Sequence, residues 1–158
     1  FFEPPIKEEL DKLEPIYVSY FIEWNSFANY ELAKRKGFHD LTHEWRRTHH
    51  IEDFDQIDSR AYLVHSWMKY PKFGHAHATD HASRFVREGI WTRDYAIEKV
   101  KLAEPNPDIK MLEDFRKFVG YTPNEFYSIL DKWYNRELFF KNDLGEWELK
   151  EPIWKEKK

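Results

Sequence analysis

The 158-residue chain contains no cysteine, which excludes disulfides, thiolate zinc sites, iron–sulfur clusters and cysteine nucleophiles. Any metal chemistry must come from the 8 histidines and the carboxylates. Glycine is scarce as well. The 5 glycines, at positions 37, 74, 89, 120 and 145, stand too far apart to build a loop that cradles phosphates with backbone amides. No apolar run approaches the roughly 20 residues a membrane span needs. The opening residues, Phe1-Phe2-Glu3-Pro4-Pro5, lack the positive n-region of a secretory signal. They also lack an initiating Met, so the start reads as that of a chain cut within a longer protein. Nor is there an excess of positive charge: the formal net charge is −4, which disfavours general nucleic-acid binding. The expectation is a cytoplasmic protein with no membrane span and no nucleic-acid partner.

Aromatic residues make up 18% of the chain, ample to fill a core without covalent staples. Ile6, Leu10 and Leu13 are spaced for a short helix that Pro15 ends. Ile16–Ile22 is dense in β-branched and aromatic residues and reads as a buried strand whose partner lies elsewhere in a longer polypeptide or in another chain. Asn25 or Ser26 can cap a helix that runs to Lys36, so residues 16–36 predict one βα unit. Residues 40–53 read as irregular. The spacing predicts helices over 55–70, stopped by Pro71; from Thr79 or Asp80 to Glu88; from Thr92 toward Pro105; from Asp108 to Val119; and onward from Thr122, whose Thr-Pro-Asn-Glu is a capping box. Alternation over 138–150 around Asn142-Asp143-Leu144-Gly145 predicts a hairpin. The fold expected is mainly α, a multi-helix C-terminal region with one early βα unit (strand 16–22) and a C-terminal β-hairpin.

Polar chemistry concentrates in residues 69–93. On a helix from Asp80, Asp80, Arg84 and Arg87 share a face at i, i+4 and i+7, with Lys69, Lys72 and Arg93 near its two ends. Such cations can clamp a pyrophosphate, because guanidinium forks and ammonium groups bind phosphate oxygens. An Asp80–Arg84 salt bridge on a solvated face is the competing reading. His75-x-His77-x3-His81 resembles a metallohydrolase box with one residue too many before its Asp-His pair, so no metal is expected, with His75, His77 and His81 as weak candidates. His39, His43, His49 and His50 read as surface residues or partners of nearby carboxylates. A Ser-His-Asp triad lacks the Gly-x-Ser-x-Gly elbow that would support it.

Several segments together resemble a known family. They are Tyr20-Phe21-Ile22-Glu23-Trp24, Glu31 to Phe38, Asp53-Phe54-Asp55-Gln56-Ile57-Asp58, and His65-x-x-Met68-Lys69-Tyr70-Pro71-Lys72-Phe73-Gly74-His75 through Ala78-Thr79-Asp80. Arg87-x-Gly89, Thr92-Arg93, Trp133 to Phe139 and Trp147 to Trp154 follow in order. The chain resembles the C-terminal part of N-acetyl sugar amidotransferases over nearly its whole length. The resemblance implies an ATP- and Mg-dependent enzyme of surface-polysaccharide (lipopolysaccharide, O-antigen) synthesis. Such enzymes adenylylate the acetamido oxygen of a nucleotide-linked N-acetyl sugar, and ammonia from a glutaminase partner then displaces AMP to leave an acetamidino group.

Members of that family carry an N-terminal ATP-binding domain with a Ser-Gly-Gly-x-Asp-Ser loop and a Cys-rich segment, and neither occurs in this sequence. Residues 1–38 would then be the last strand and helix of that α/β domain, and 39–158 a helical domain ending in the hairpin. By itself the chain is not expected to turn over substrate. Lys72, Arg84, Arg87 and Arg93, with Lys69 as a weaker member and Asp80 orienting the guanidinium groups, are the residues implied for phosphate binding. At position 77 the family pattern leads to Arg or a small residue, so His77 is not implied as a ligand. A non-catalytic module that docks the glutaminase, and a His-ligated metallohydrolase, are the alternatives.

Overall fold

The computed structural model describes residues 7–57 and 59–155. The chain divides into two compact units, Phe1–Phe38 and His39–Lys158.

In the first unit, α1 (Lys7–Leu10) and α2 (Ser26–Arg35) flank an extended segment. The Asn25 side chain accepts from the Ala28 amide at 2.7 Å and so fixes the start of α2. The strand expected over residues 16–22 does not form, and the βα unit goes with it. Val18–Tyr20 makes a 3₁₀ turn instead, in which the Phe21 amide donates to the Val18 carbonyl at 2.9 Å. The reason is pairing: no other described segment of this unit offers an edge, so the backbone satisfies itself locally. The apolar side chains of this stretch, from Ile16 to Trp24, face solvent, with Tyr20 84% and Phe21 75% exposed. Ile6, part of the expected first helix, lies outside the described residues.

The second unit is helical: α3 (Arg60–Trp67), α4 (Lys69–Phe73), α5 (His77–Arg87), α6 (Arg93–Ala103), α7 (Ile109–Val119) and α8 (Pro123–Trp133) precede β1 (Phe139–Lys141) and β2 (Trp147–Leu149). The strands pair antiparallel, Phe139 opposite Leu149 and Lys141 opposite Trp147. Thr92, Asp108 and Thr122 cap α6, α7 and α8, the last in a complete capping box.

Three boundaries differ from the expectation. The helix expected over 55–70 begins only at Arg60, after the loop that carries Glu52 and Asp55. Pro71 does not stop a helix. It sits third in α4, where no intrahelical N–H is required, and it is fully buried. α5 begins at His77 rather than at Thr79 or Asp80, because the acceptor for its first turn comes from outside: the Thr79 amide donates to the Glu104 carboxylate at 2.6 Å.

α3 packs on α7 around a core that includes Trp45, Trp67, Tyr70, Leu112, Phe126 and Phe139. α5 packs on α6 through Ala82, Ala96 and Val100, with Trp91 and Trp154 against them. The hairpin is locked to α4 at Gly74. Its φ of +76 ends the helix in a conformation that favours glycine, and a Cβ there would lie 2.9 Å from Leu149 Cδ1, which would have to shift.

Candidate functional site

The candidate chemistry collects on α5. At 3.6 residues per turn, His77, His81 and Phe85 fall in a row on one side, Asp80, Ser83 and Arg87 fall opposite, and Arg84 lies between them. The first side is the inner one: His81 and Phe85 are buried, whereas Ser83 and Arg87 are exposed.

The inner side meets the loop that follows Trp45. Glu52, only 6% exposed, accepts through Oε2 from the amides of Phe54 at 2.8 Å and Asp55 at 2.7 Å. This grip leaves Oε1 facing His77 Nε2 at 3.1 Å. Asp55 Oδ2 lies 2.9 Å from His81 Nε2 and 3.9 Å from His77 Nε2, and the two imidazole centroids are 4.2 Å apart. Arg47 secures the loop by donating to the Glu52 carbonyl at 2.7 Å, and its guanidinium is 3.7 Å from Oε1. His50 meets Asp53 at 2.7 Å, as a partner of a nearby carboxylate.

Burial is the largest influence on Glu52 and opposes its ionisation. The His77 hydrogen bond, the Arg47 charge, the Asp55 amide and His81 together outweigh it and bring the pKa down to about 2. Burial lowers the pKa of His81, helped by neighbouring His77 and opposed by Glu52 and Asp55. The Nδ1 of His81 is enclosed without a hydrogen bond.

Beside this cluster lies a cavity of about 80 Å3, lined by Glu52, His77, Glu104 and Asp108 among others. Burial pushes the Glu104 carboxyl up, and hydrogen bonds from Thr79 offset this only in part. Its Oε2 has no partner. In Asp108 the balance reverses: burial is again the largest influence, but donors from Thr48, Met111 and Trp45 hold the carboxylate below its usual range.

The cations expected to bind phosphate are distributed as follows. Lys69 Nζ and Asp80 Oδ2 stand 3.4 Å apart, both about half exposed, and tie α4 to α5. Arg87 continues that side of the helix, and Arg84, between the two sides, is near enough to His81 to act on it electrostatically. Arg93 opens α6 and lines, with Thr79, Ser83 and Ile153, a groove of about 320 Å3 over the α5–α6 contact. Lys72 lies over the Trp133 ring, 4.7 Å from its centroid, on a turn held by the Asn135 amide donating to the Pro71 carbonyl at 2.9 Å. Of the histidine box, His77 and His81 converge and His75 does not; it is exposed, with its ring 6.4 Å from that of Phe73. Glu52 and Asp55, the other half of the cluster, were not among the residues expected. They are 25 and 26 positions from their histidines, beyond the reach of periodicity, and the run Asp53 to Asp58 was the one signal pointing to the loop.

The second unit is thus a helical domain with a terminal hairpin, its polar chemistry gathered on one mid-chain helix. The family described as LPS biosynthesis protein WbpG-like, C-terminal domain, matches residues 48–153, from the loop carrying Glu52 to the residue before Trp154, and the chain belongs to this family. Comparison with curated proteins gave no match.

Proposed function

We propose that this chain forms the sugar-nucleotide side of an ATP-dependent amidotransferase of lipopolysaccharide biosynthesis, one that converts the acetamido group of a nucleotide-linked N-acetyl sugar to acetamidino with ammonia from a glutaminase. Membership of the WbpG-like family supports the role in lipopolysaccharide biosynthesis. The observation that carries the finer reading is the outer side of α5. There Arg87 and the Lys69–Asp80 pair, with Arg84 at the margin and Arg93 on the adjoining groove, gather cations on neighbouring helices. Cations gathered in this way are suited to hold a diphosphate and to offset charge that develops on its oxygens.

ATP and Mg are in this reading bound mainly outside this chain, which has no glycine-rich loop for the phosphates. Four of its glycines close helices and Gly145 turns the hairpin, so none presents a row of amides to phosphates. In this reading a companion domain holds the nucleotide, in a cytoplasmic protein. The apolar side chains exposed from Ile16 to Trp24 are suited to being covered by that companion. No helix among the described residues is long and apolar enough to cross a membrane.

The test is turnover by the protein that carries this domain, supplied with ammonia. Arg87→Ala and Arg93→Ala should each reduce amidination by about 10–100-fold, the usual cost of losing a charge-assisted contact of about 1.5–3 kcal/mol, while circular dichroism stays that of the parent. Unchanged turnover rejects the phosphate role. A second reading, a module that docks the glutaminase, draws on exposed aromatics such as Phe118 at 84% and Trp133 at 51%. Co-purification with glutaminase, combined with no binding of a nucleotide sugar, would favour it.

A further inference from the structure

On the inner side of α5, we propose, Glu52, His77 and His81, with Asp55 beside the histidines, form a site for a divalent transition metal of the zinc class, which clamps the helix to the loop before α3. Neither the family description nor the amidotransferase reading requires such an ion.

Three observations carry the assignment. The first is spacing: two histidines four residues apart on a helix put both Nε2 atoms on one side, as in helical zinc sites. The second is distance. A tetrahedral ion with bonds of about 2.0–2.1 Å sets its ligand atoms about 3.3 Å apart. Glu52 Oε1 to His77 Nε2 is 3.1 Å, Asp55 Oδ2 to His81 Nε2 is 2.9 Å, and Asp55 Oδ2 to His77 Nε2 is 3.9 Å. One ligand atom each from Glu52, His77 and His81 falls within 4.8 Å of the others. These separations let one ion replace the hydrogen bonds with small side-chain shifts.

The third is preorganisation and charge. The Glu52 carboxylate is fixed by two backbone amides on Oε2, which leaves Oε1 as the free ligand atom, and its side chain and that of His81 are 2% and 3% exposed. Around the cluster Glu52, Asp53 and Asp55 outnumber two guanidinium groups, Arg47, shared between Glu52 at 3.7 Å and Asp53 at 3.8 Å, and Arg84, whose charge reaches His81. A bound cation offsets that excess. Two imidazoles select zinc, cobalt or nickel over magnesium and calcium, and Asp55, 2.9 Å from His81 Nε2, is placed to fill the fourth position, which makes the site structural rather than hydrolytic.

The experiment uses the whole chain, freed of metal with a chelator and titrated with cobalt(II) alone, then with zinc(II) alone. One equivalent of cobalt should give the intense visible absorption of tetrahedral coordination, zinc should bleach it at one equivalent, and zinc should raise the melting temperature. His77→Gln, at a partly exposed position, should weaken zinc by more than the roughly 10–100-fold that loss of an outer-shell partner costs. His75→Ala should bind as the parent does. Absence of a stoichiometric cobalt spectrum in the parent chain overturns the proposal, whatever the variants do. So does zinc affinity that falls with His75→Ala and not with His77→Gln.

Discussion

The two sides of α5 differ in how their charges are treated, although they share one backbone. On the inner side His81 and Glu52 are withdrawn from water, and each is tied to named partners within 3.1 Å: His81 to Asp55, and Glu52 to His77 and two amides. On the outer side Asp80 and Lys69 stand 3.4 Å apart while about half exposed, and Arg87 is exposed. In a low-dielectric interior a charge is costly unless fully paired, so the inner groups are committed to structure. Exposed charges contribute little to stability and remain available to a ligand. Stability is therefore expected to depend on one side and phosphate recognition on the other.

The largest effect should come from the inner side. Phe85, 3% exposed and packed edge-on against Trp91 at 4.8 Å, should cost about 3–5 kcal/mol when changed to Ala, measured by urea denaturation. A cost below about 1 kcal/mol would mean that this side is not core. Next comes the Asp108 cap, where Asp108→Ala removes the acceptor for Met111 and Thr48 amides and should cost about 1–3 kcal/mol. Because the folded-state pKa of Asp108 is depressed, its contribution is present above the unfolded carboxyl pKa and is lost as pH falls through the folded one. The gap between parent and variant should therefore narrow in acid.

Glu104 has the opposite sign. Its pKa is raised by burial, so stability declines as pH rises from the unfolded value of 4.5 toward the folded one, by about 1.4 kcal/mol for each unit of elevation. Glu104→Gln should flatten that decline and be the more stable protein at neutral pH; parallel pH–stability curves for the two would contradict this. The smallest stability change is on the outer side. Arg87→Ala should stay within about 0.5 kcal/mol of the parent although it is expected to impair amidination, and a larger loss would show that the outer side is also structural.

Much of the second unit was legible because its signals are local. Thr92, Asp108 and the Thr122–Glu125 box each mark a helix start through side chains within three residues of the amide they serve. The hairpin was legible from alternation around Gly145. What failed involved partners distant in sequence. α5 starts early because Glu104, 25 residues on, supplies its acceptor, and Ile16–Ile22 has strand-like composition but no partner edge among the described residues. Of the candidate site, the cationic side of α5 followed from i, i+4 spacing. The inner cluster did not, because Glu52 and Asp55 reach their histidines only through the loop that Arg47 holds. Lys72 carried no hint that its ammonium would rest on Trp133, 61 positions away.

The most direct measurement is calorimetric titration of a nucleotide diphosphate-linked N-acetylhexosamine, such as UDP-N-acetylglucosamine, into the protein and into an Arg84→Ala/Arg87→Ala variant. If the outer side of α5 holds the diphosphate, the parent binds with an affinity that falls as salt rises, free UDP competes, and the variant loses binding while melting at the parent's temperature. Equal binding by parent and variant, or saturable binding that free UDP does not displace, would contradict it.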